Sequence, residues 1–245
     1  MGERWLTLHQ DEQSSHIVHV LPACHDNSDR RRFVSATEPL ASLREPHLLQ
    51  VEAYGFTPDA RPWVITPYPG THDGVLTLPS LAASKPQNRM EPSEVERAIT
   101  HLFESVHACH EAGLHNGPID PRQAIVDTRG SVLIEHYAYA RTLAGLGNAD
   151  ANVVIDEIRS IVELAYALLT GVEAKAPLIP AGKLVRRLSP AWSRWLEQGL
   201  DPAGGFSTAT EALGALPSRR PAGVETSVEG SRVRTVWTRV RRLTR

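Results

Sequence analysis

Residues 110–141 read HEAGLHNGPIDPRQAIVDTRGSVLIEHYAYAR, and the rest of the chain can be organised around them. His110 to Gly113 closes a helix, since glycine readily takes the left-handed conformation that ends one. The stretch AIVD, a turn at Thr128-Arg129-Gly130 and SVLIEHYAY then form a short β hairpin. Upstream, EPSEVERAITHLFESVHACHEAG opens with Pro92-Ser93 before Glu94 and repeats apolar residues at Val95, Ile99, Leu102, Phe103 and Val106, the spacing of an amphipathic helix. Downstream, DEIRSIVELAYALLTG is a second helix, too apolar at Ile158, Ile161, Val162, Leu164, Ala165, Leu168 and Leu169 to be a surface element, and it ends on Gly171. SPAWSRWLEQGL and STATEALGAL complete a helical region, with Trp192 and Trp195 placed to pack the closing helices.

Before Pro67-Tyr68-Pro69-Gly70 the pattern is different. Trp5, Leu6 and Leu8 belong to one short strand, and Ile17, Val18, Val20 and Leu21 to another. A charged loop from Asp26 to Arg32 precedes a helix over 32–43, with Phe33, Leu40 and Leu43 on its apolar side and Pro39 as an irregularity. HLLQVEAYGF and RPWVITPY read as a strand pair. The expected organisation is a small β-rich region over 1–66, a larger helical region over 67–217, and a linker with a basic tail over 218–245.

The 245 residues, 41% hydrophobic and 22% charged, exclude disordered and fibrous classes. No apolar run approaches the roughly 20 residues that span a bilayer, so no transmembrane segment is expected. MGERWLTLHQDEQ lacks the basic-then-apolar plan of a secretory signal, and Cys24 and Cys109 form no CxxC pair. A reducing, cytoplasmic location is therefore expected. The net charge of −2 divides unevenly: residues 218–245 hold eight Arg and two Glu, so they carry +6 and the other 217 residues carry −8. In RVRTVWTRVRRLTR the apolar Val233, Val236, Trp237, Val240 and Leu243 share one helical face, so Arg232 to Arg245 suits an anionic surface or a partner protein.

Taken in order, these strings resemble the bacterial Ser/Thr protein kinase-like family. MGERWLTL resembles the end of the glycine-rich loop and the following strand, HIVHVLPA the VAIK strand, and LASLREPHLLQVEAYGF the helix-to-strand stretch after it. RPWVITPYPG resembles the hinge. The 110–141 segment resembles the catalytic loop through the DFG motif, EIRSIVELAYALLTG resembles DVYSLGVLLYELLTG, and GLDPAGGFSTATEALGAL the closing segment. The resemblance runs in register over about residues 1–217. It implies an α+β, two-lobed protein-kinase-like fold with a small β-rich N-lobe and a larger helical C-lobe. The N-lobe opens at Met1-Gly2-Glu3, inside the glycine-rich loop, so the chain is expected to be truncated there or to be a fragment.

Phosphoryl transfer relies on positioned charge, and the resemblance places other residues at nearly every charged position. The phosphate-gripping lysine falls at His19 and its carboxylate partner at Ala36. The substrate-deprotonating aspartate falls at Pro118, and the lysine after it at Asp120. The two metal-binding residues fall at Gln123 and at His136, in His136-Tyr137-Ala138. Neither Gln123 nor His136 supplies the carboxylate oxygen that hard Mg2+ prefers. In the hinge, Thr66-Pro67-Tyr68-Pro69, Thr66 matches the gatekeeper and Pro69 has no N–H to offer an adenine. Only fifteen residues separate Arg141 from Glu157, too few for an activation segment, and Gly205 replaces the arginine that pairs with its glutamate.

The expectation is a catalytically inactive domain, a pseudokinase, acting as a scaffold or regulator through protein contacts. No cofactor, metal or nucleic acid is expected. Two alternatives stand beside it: a nucleotide-binding switch without phosphotransfer, and an atypical active Ser/Thr kinase. The second would use Asp120 as a displaced base, with Glu135, His136 or Gln123 holding a metal; ATP and Mg2+ belong to these alternatives alone. His101, His107, His110 and His115, with Cys109, form no HExxH or CxxC pattern and read as structural.

Overall fold

The computed structural model describes residues 3–9, 13–146 and 149–218, so the basic tail and nearly all of the linker lie outside the described residues. The N-terminal part is a four-stranded antiparallel sheet built from β1 (Glu3–Leu8), β2 (Ser15–Val20), β3 (Ala53–Phe56) and β4 (Pro62–Pro67), in the order β1-β2-β4-β3. The pleat of β2 buries Ile17 and His19, while Pro62, Val64 and Thr66 are the buried positions of β4. With Ile17 opposite Thr66 and His19 opposite Val64 in the register, these residues share one face of the sheet. A polar ring therefore sits on a face that is otherwise largely apolar.

Helix α1 (Asn27–Ser42) lies between β2 and β3 and buries Phe33, Ala36, Thr37 and Leu40. It starts five residues before the sequence-based expectation. The Asp26 carboxylate accepts from the Asp29 N–H at 2.9 Å, which caps the helix inside the stretch read as a loop. Pro39 sits within the helix and leaves one backbone bond unmade near its end.

The larger part holds the short strand β5 (Leu76–Thr77), α2 (Leu78–Ala83), α3 (Pro92–Glu111), β6 (Ala124–Val126), β7 (Val132–Ile134), α4 (Tyr139–Leu143), α5 (Ala151–Thr170), α6 (Ala181–Leu184), α7 (Pro190–Leu200) and α8 (Ala209–Gly214). Strands β5, β6 and β7 form a second, three-stranded antiparallel sheet. The core runs along α3 and α5, where Phe103, Ile158, Ile161, Val162 and Ala165 are sealed from solvent. Trp195 packs against Phe103 and Phe206, forms a T-shaped pair with Trp192 at 5.6 Å, and donates its ring N–H to the Ala212 carbonyl at 3.0 Å. Burying each such side chain is worth about 1.5–3 kcal/mol, so this cluster anchors the larger lobe.

The hairpin differs from expectation at its end. SVLIEHYAY was expected to stay extended, but β7 stops at Ile134; His136 and Ala138 take positive φ of 53° and 61°, and α4 follows at once. The two lobes are stitched beside this point, because Leu49 N–H donates to the Ile134 carbonyl at 3.0 Å and Ile134 N–H to the His47 carbonyl at 3.0 Å.

Candidate functional site

A cavity of about 480 Å³ opens between the lobes, lined by Arg4, His19, Leu21 and Val64 from the sheet and by Gln123, Glu135, His136, Tyr139 and Leu143 from the larger lobe. His19 Nδ1 lies 3.1 Å from His136 Nε2, with the rings edge to face at 4.2 Å between centroids. The other nitrogen of His19, Nε2, is 3.5 Å from the Thr66 hydroxyl and 3.7 Å from the Glu135 carboxylate, which also lies 3.7 Å from His136. Arg4 reaches across from β1 and ion-pairs with Glu135.

Electrostatics keep both rings neutral at pH 7. Burial, reinforced by His136 and Arg4, pushes the His19 pKa down to about 3. Burial also lowers that of His136, against the opposing pull of Glu135. Each ring then carries one N–H, and the 3.1 Å contact is a hydrogen bond between neutral imidazoles. The segment bearing His136 is held rigidly: Gln123 Nε2 donates to the Glu135 carbonyl at 3.1 Å, and Glu135 N–H donates back to the Gln123 carbonyl at 2.9 Å.

Not all the residues singled out from the sequence meet here. His19, Thr66, Gln123, Glu135 and His136 converge. Ala36 is buried in α1 and presents only a methyl group. Pro118 is exposed and lines a different cavity, of about 540 Å³, with Ile119, Pro121 and Leu164. Asp120 is engaged locally: its carboxylate accepts from the Arg122 N–H at 2.9 Å and binds the Arg122 guanidinium through both oxygens, which holds its pKa below the usual carboxylate range. Such a carboxylate is a poor proton acceptor. In the hinge, Tyr68 N–H donates to the Ser15 carbonyl at 2.9 Å, spending a donor on the sheet.

Two residues that the sequence reading left without a role matter to this geometry. Arg4 had no local motif to mark it. Glu157, used only as a boundary, is fully buried on α5 and accepts from Asn116 N–H at 3.2 Å, Gly117 N–H at 3.1 Å and the Tyr137 hydroxyl at 2.5 Å, with His110 Nε2 at 3.4 Å. It fastens the loop before Pro118 and the segment after His136 to one helix. The remaining histidines have packing partners: His101 accepts from Val132 N–H at 3.1 Å and stacks on His47 at 3.8 Å, and His107 meets Thr210 at 3.3 Å.

The two-lobed arrangement superimposes on solved structures. The kinase domain of Mycobacterium tuberculosis PknI matches with a TM-score of 0.68 and 21% identity, over 90% of this chain and 91% of that one. The chain has the protein-kinase fold. A double mutant of the same domain matches equally well, with a TM-score of 0.68 and 20% identity over 89% and 90% of the two chains. No protein-family model matches the chain and no curated protein matches it. Identity this low speaks for the kinase fold and leaves the chemistry to the residues. Among the described residues no helix is long and apolar enough to cross a membrane.

Proposed function

We propose that this kinase-fold domain is a pseudokinase: it transfers no phosphate and serves as a scaffold or regulator through contacts with another protein. The observation that carries the reading is the imidazole pair at the centre of the cleft. Where the resemblance calls for a fixed positive charge and a metal-binding carboxylate, His19 and His136 stand neutral and bonded to each other. Among the described residues the one cation lining the cleft, Arg4, is paired with Glu135, so no uncommitted cation awaits a triphosphate and no carboxylate pair awaits Mg2+. Pro118 brings no proton acceptor, and Asp120 is tied to Arg122. The hydrophobic framework is meanwhile complete, which suits a domain whose surfaces rather than cleft are used.

The test is a thermal shift with saturating ATP or ADP, each with and without Mg2+. A ligand at a hundred times its Kd stabilises by about 2.7 kcal/mol, roughly 5–10 °C for a domain of this size. The expected outcome is no shift under any condition. A Mg2+-dependent shift followed by phosphate incorporation into a protein substrate would overturn the reading, and a Mg2+-independent shift alone would favour the nucleotide-binding switch.

A further inference from the structure

Among the described residues, two groups of histidine and glutamate side chains are close enough to share one ion: His19, Glu135 and His136 in the cleft, and His110, His115 and Glu157 near the end of α3. The second group is already committed. Glu157 has no exposed surface, and its carboxylate takes up the Tyr137 hydroxyl and two backbone N–H groups. An ion there would have to strip donors from a sealed carboxylate. The cleft group faces a cavity of about 480 Å³, and the donor that neutralises Glu135 is Arg4, whose side chain is 46% exposed and can be hydrated once an ion takes its place.

We propose that the cleft binds one transition-metal dication, with Zn2+ the fitting ion, through His19, His136 and Glu135. Their ligand atoms all lie within 4.8 Å of one another. Two nitrogens on one tetrahedral Zn2+, each about 2.0–2.1 Å from the metal, sit about 3.3 Å apart. His19 Nδ1 and His136 Nε2 are 3.1 Å apart, so an ion enters when the proton between them moves to His136 Nδ1 and both rings turn toward a common point, with little change in the nitrogen separation. Two imidazoles with one carboxylate favour a borderline ion over hard Mg2+. With three protein ligands, a water from the cavity completes a four-coordinate shell.

The surroundings also suit a ligand set. With Nδ1 on the metal, His19 Nε2–H points to the Thr66 hydroxyl at 3.5 Å, the second hydrogen bond that fixes the tautomer of a metal-bound imidazole. Gln123 steadies the Glu135–His136 backbone, and His136 is held at φ 53°, an uncommon conformation for a side chain of its size. Because His19 comes from the sheet and the other two ligands from the larger lobe, the ion clamps the lobes together where a kinase would close on nucleotide. This departs from the expectation of no metal, which followed from missing carboxylates that Mg2+ needs and Zn2+ does not. It stands apart from the scaffold reading, since Zn2+ and nucleotide are measured separately and either result can fail alone.

The experiment is equilibrium dialysis of the full chain against ZnCl2 in excess MgCl2, repeated on His136→Asn, Glu135→Gln, Arg4→Ala and His115→Ala. Asparagine tolerates the φ of His136, and near-UV circular dichroism checks each fold. The expected result is one Zn2+ per chain that Mg2+ does not displace. His136→Asn and Glu135→Gln should each weaken it, on the order of a hundredfold. Arg4→Ala should tighten it by removing the competing cation, and His115→Ala should leave it unchanged. Bound Co2+ should show the intense visible bands of a four-coordinate site. No Zn2+ bound to the wild-type chain, binding unaltered in both ligand variants, or displacement by Mg2+ would each overturn the proposal.

Discussion

The Glu157 carboxylate, wholly buried yet met by two backbone N–H groups, a tyrosine hydroxyl and an imidazole, shows how one residue positions two segments of a cleft. Its oxygens satisfy donors that would otherwise be stranded, and a buried donor left without a partner costs about 1–3 kcal/mol. Glu157→Ala should therefore destabilise by about 3–5 kcal/mol, because it strands the Asn116 and Gly117 amides and removes buried volume together. Glu157→Gln keeps one acceptor oxygen but turns an NH2 group toward the same donors, so a loss of about 1–3 kcal/mol is expected. Urea midpoints at pH 7 check both, and a Glu157→Ala midpoint equal to wild type would show that the loop holds itself. The residue's importance was only half legible. DEIRSIVELAYALLTG announced a buried helix, but a glutamate at its start reads from sequence as a solvated first-turn acid. His19 and His136 were legible as odd substitutions; their contact across 117 positions was not, because it depends on how β2 and the segment after β7 meet.

At the scale of elements, helix packing sets where glycine is required. Gly199 lies on α7 against α5, and a Cβ built there comes within 2.8 Å of both Val162 methyls and 3.0 Å of the Phe206 ring. Val162 is β-branched and sealed from solvent, so it has little room to turn aside. Replacing a helical glycine by alanine normally gains up to about 1 kcal/mol. At Gly199 the overpacking cost, about 1–3 kcal/mol, outweighs that gain, and the variant should unfold at lower denaturant concentration. Gly214 on α8 meets nothing within 4 Å, so Gly214→Ala should be neutral or stabilising by up to about 1 kcal/mol. Equal midpoints for the two variants would mean that α7 is not in close contact with α5. The long helices were readable because their apolar period spans several turns: 91–113 was expected and Pro92–Glu111 formed, 156–171 was expected and Ala151–Thr170 formed. Shorter pieces such as α2, α4 and β5 offer too few residues for a period to emerge. β3 was overread because Leu48 and Leu49, apolar enough for a strand, instead join β7 across the lobes.

For the molecule as a whole, burial of neutral histidines ties stability to pH. His19, His101, His115 and His136 all have pKa values lowered from 6.5, burial being the largest cause for each, and His19 falls to about 3. In the unfolded chain each ring takes up a proton as pH drops through about 6.5. The folded chain resists that uptake, so the unfolded state binds more protons and stability must fall as pH decreases. For His19 the loss extends from about 6.5 down to about 3, and each group contributes a slope of at most about 1.4 kcal/mol per pH unit. The carboxylates held low by partners, Asp29, Asp59 and Glu94, push the same way, but only as pH falls through and below their ordinary 3.8 to 4.5. Glu163, raised by burial, gains stability on acidification and opposes them near its own range. The interval between pH 6.5 and 5 thus belongs to the histidines. The melting temperature should be highest above about pH 6.5 and fall steadily through that interval, and His19→Asn should make the fall shallower while leaving the acid limb below about pH 3 in place. A melting temperature flat from pH 7 to 5, or a wild-type slope retained in His19→Asn, would show that the cleft imidazoles take up protons freely in the folded state. Neutrality of that pair is also what leaves the nitrogens available to a metal, so the same titration repeated with Zn2+ bound should steepen the fall, because protonation must then also expel the ion.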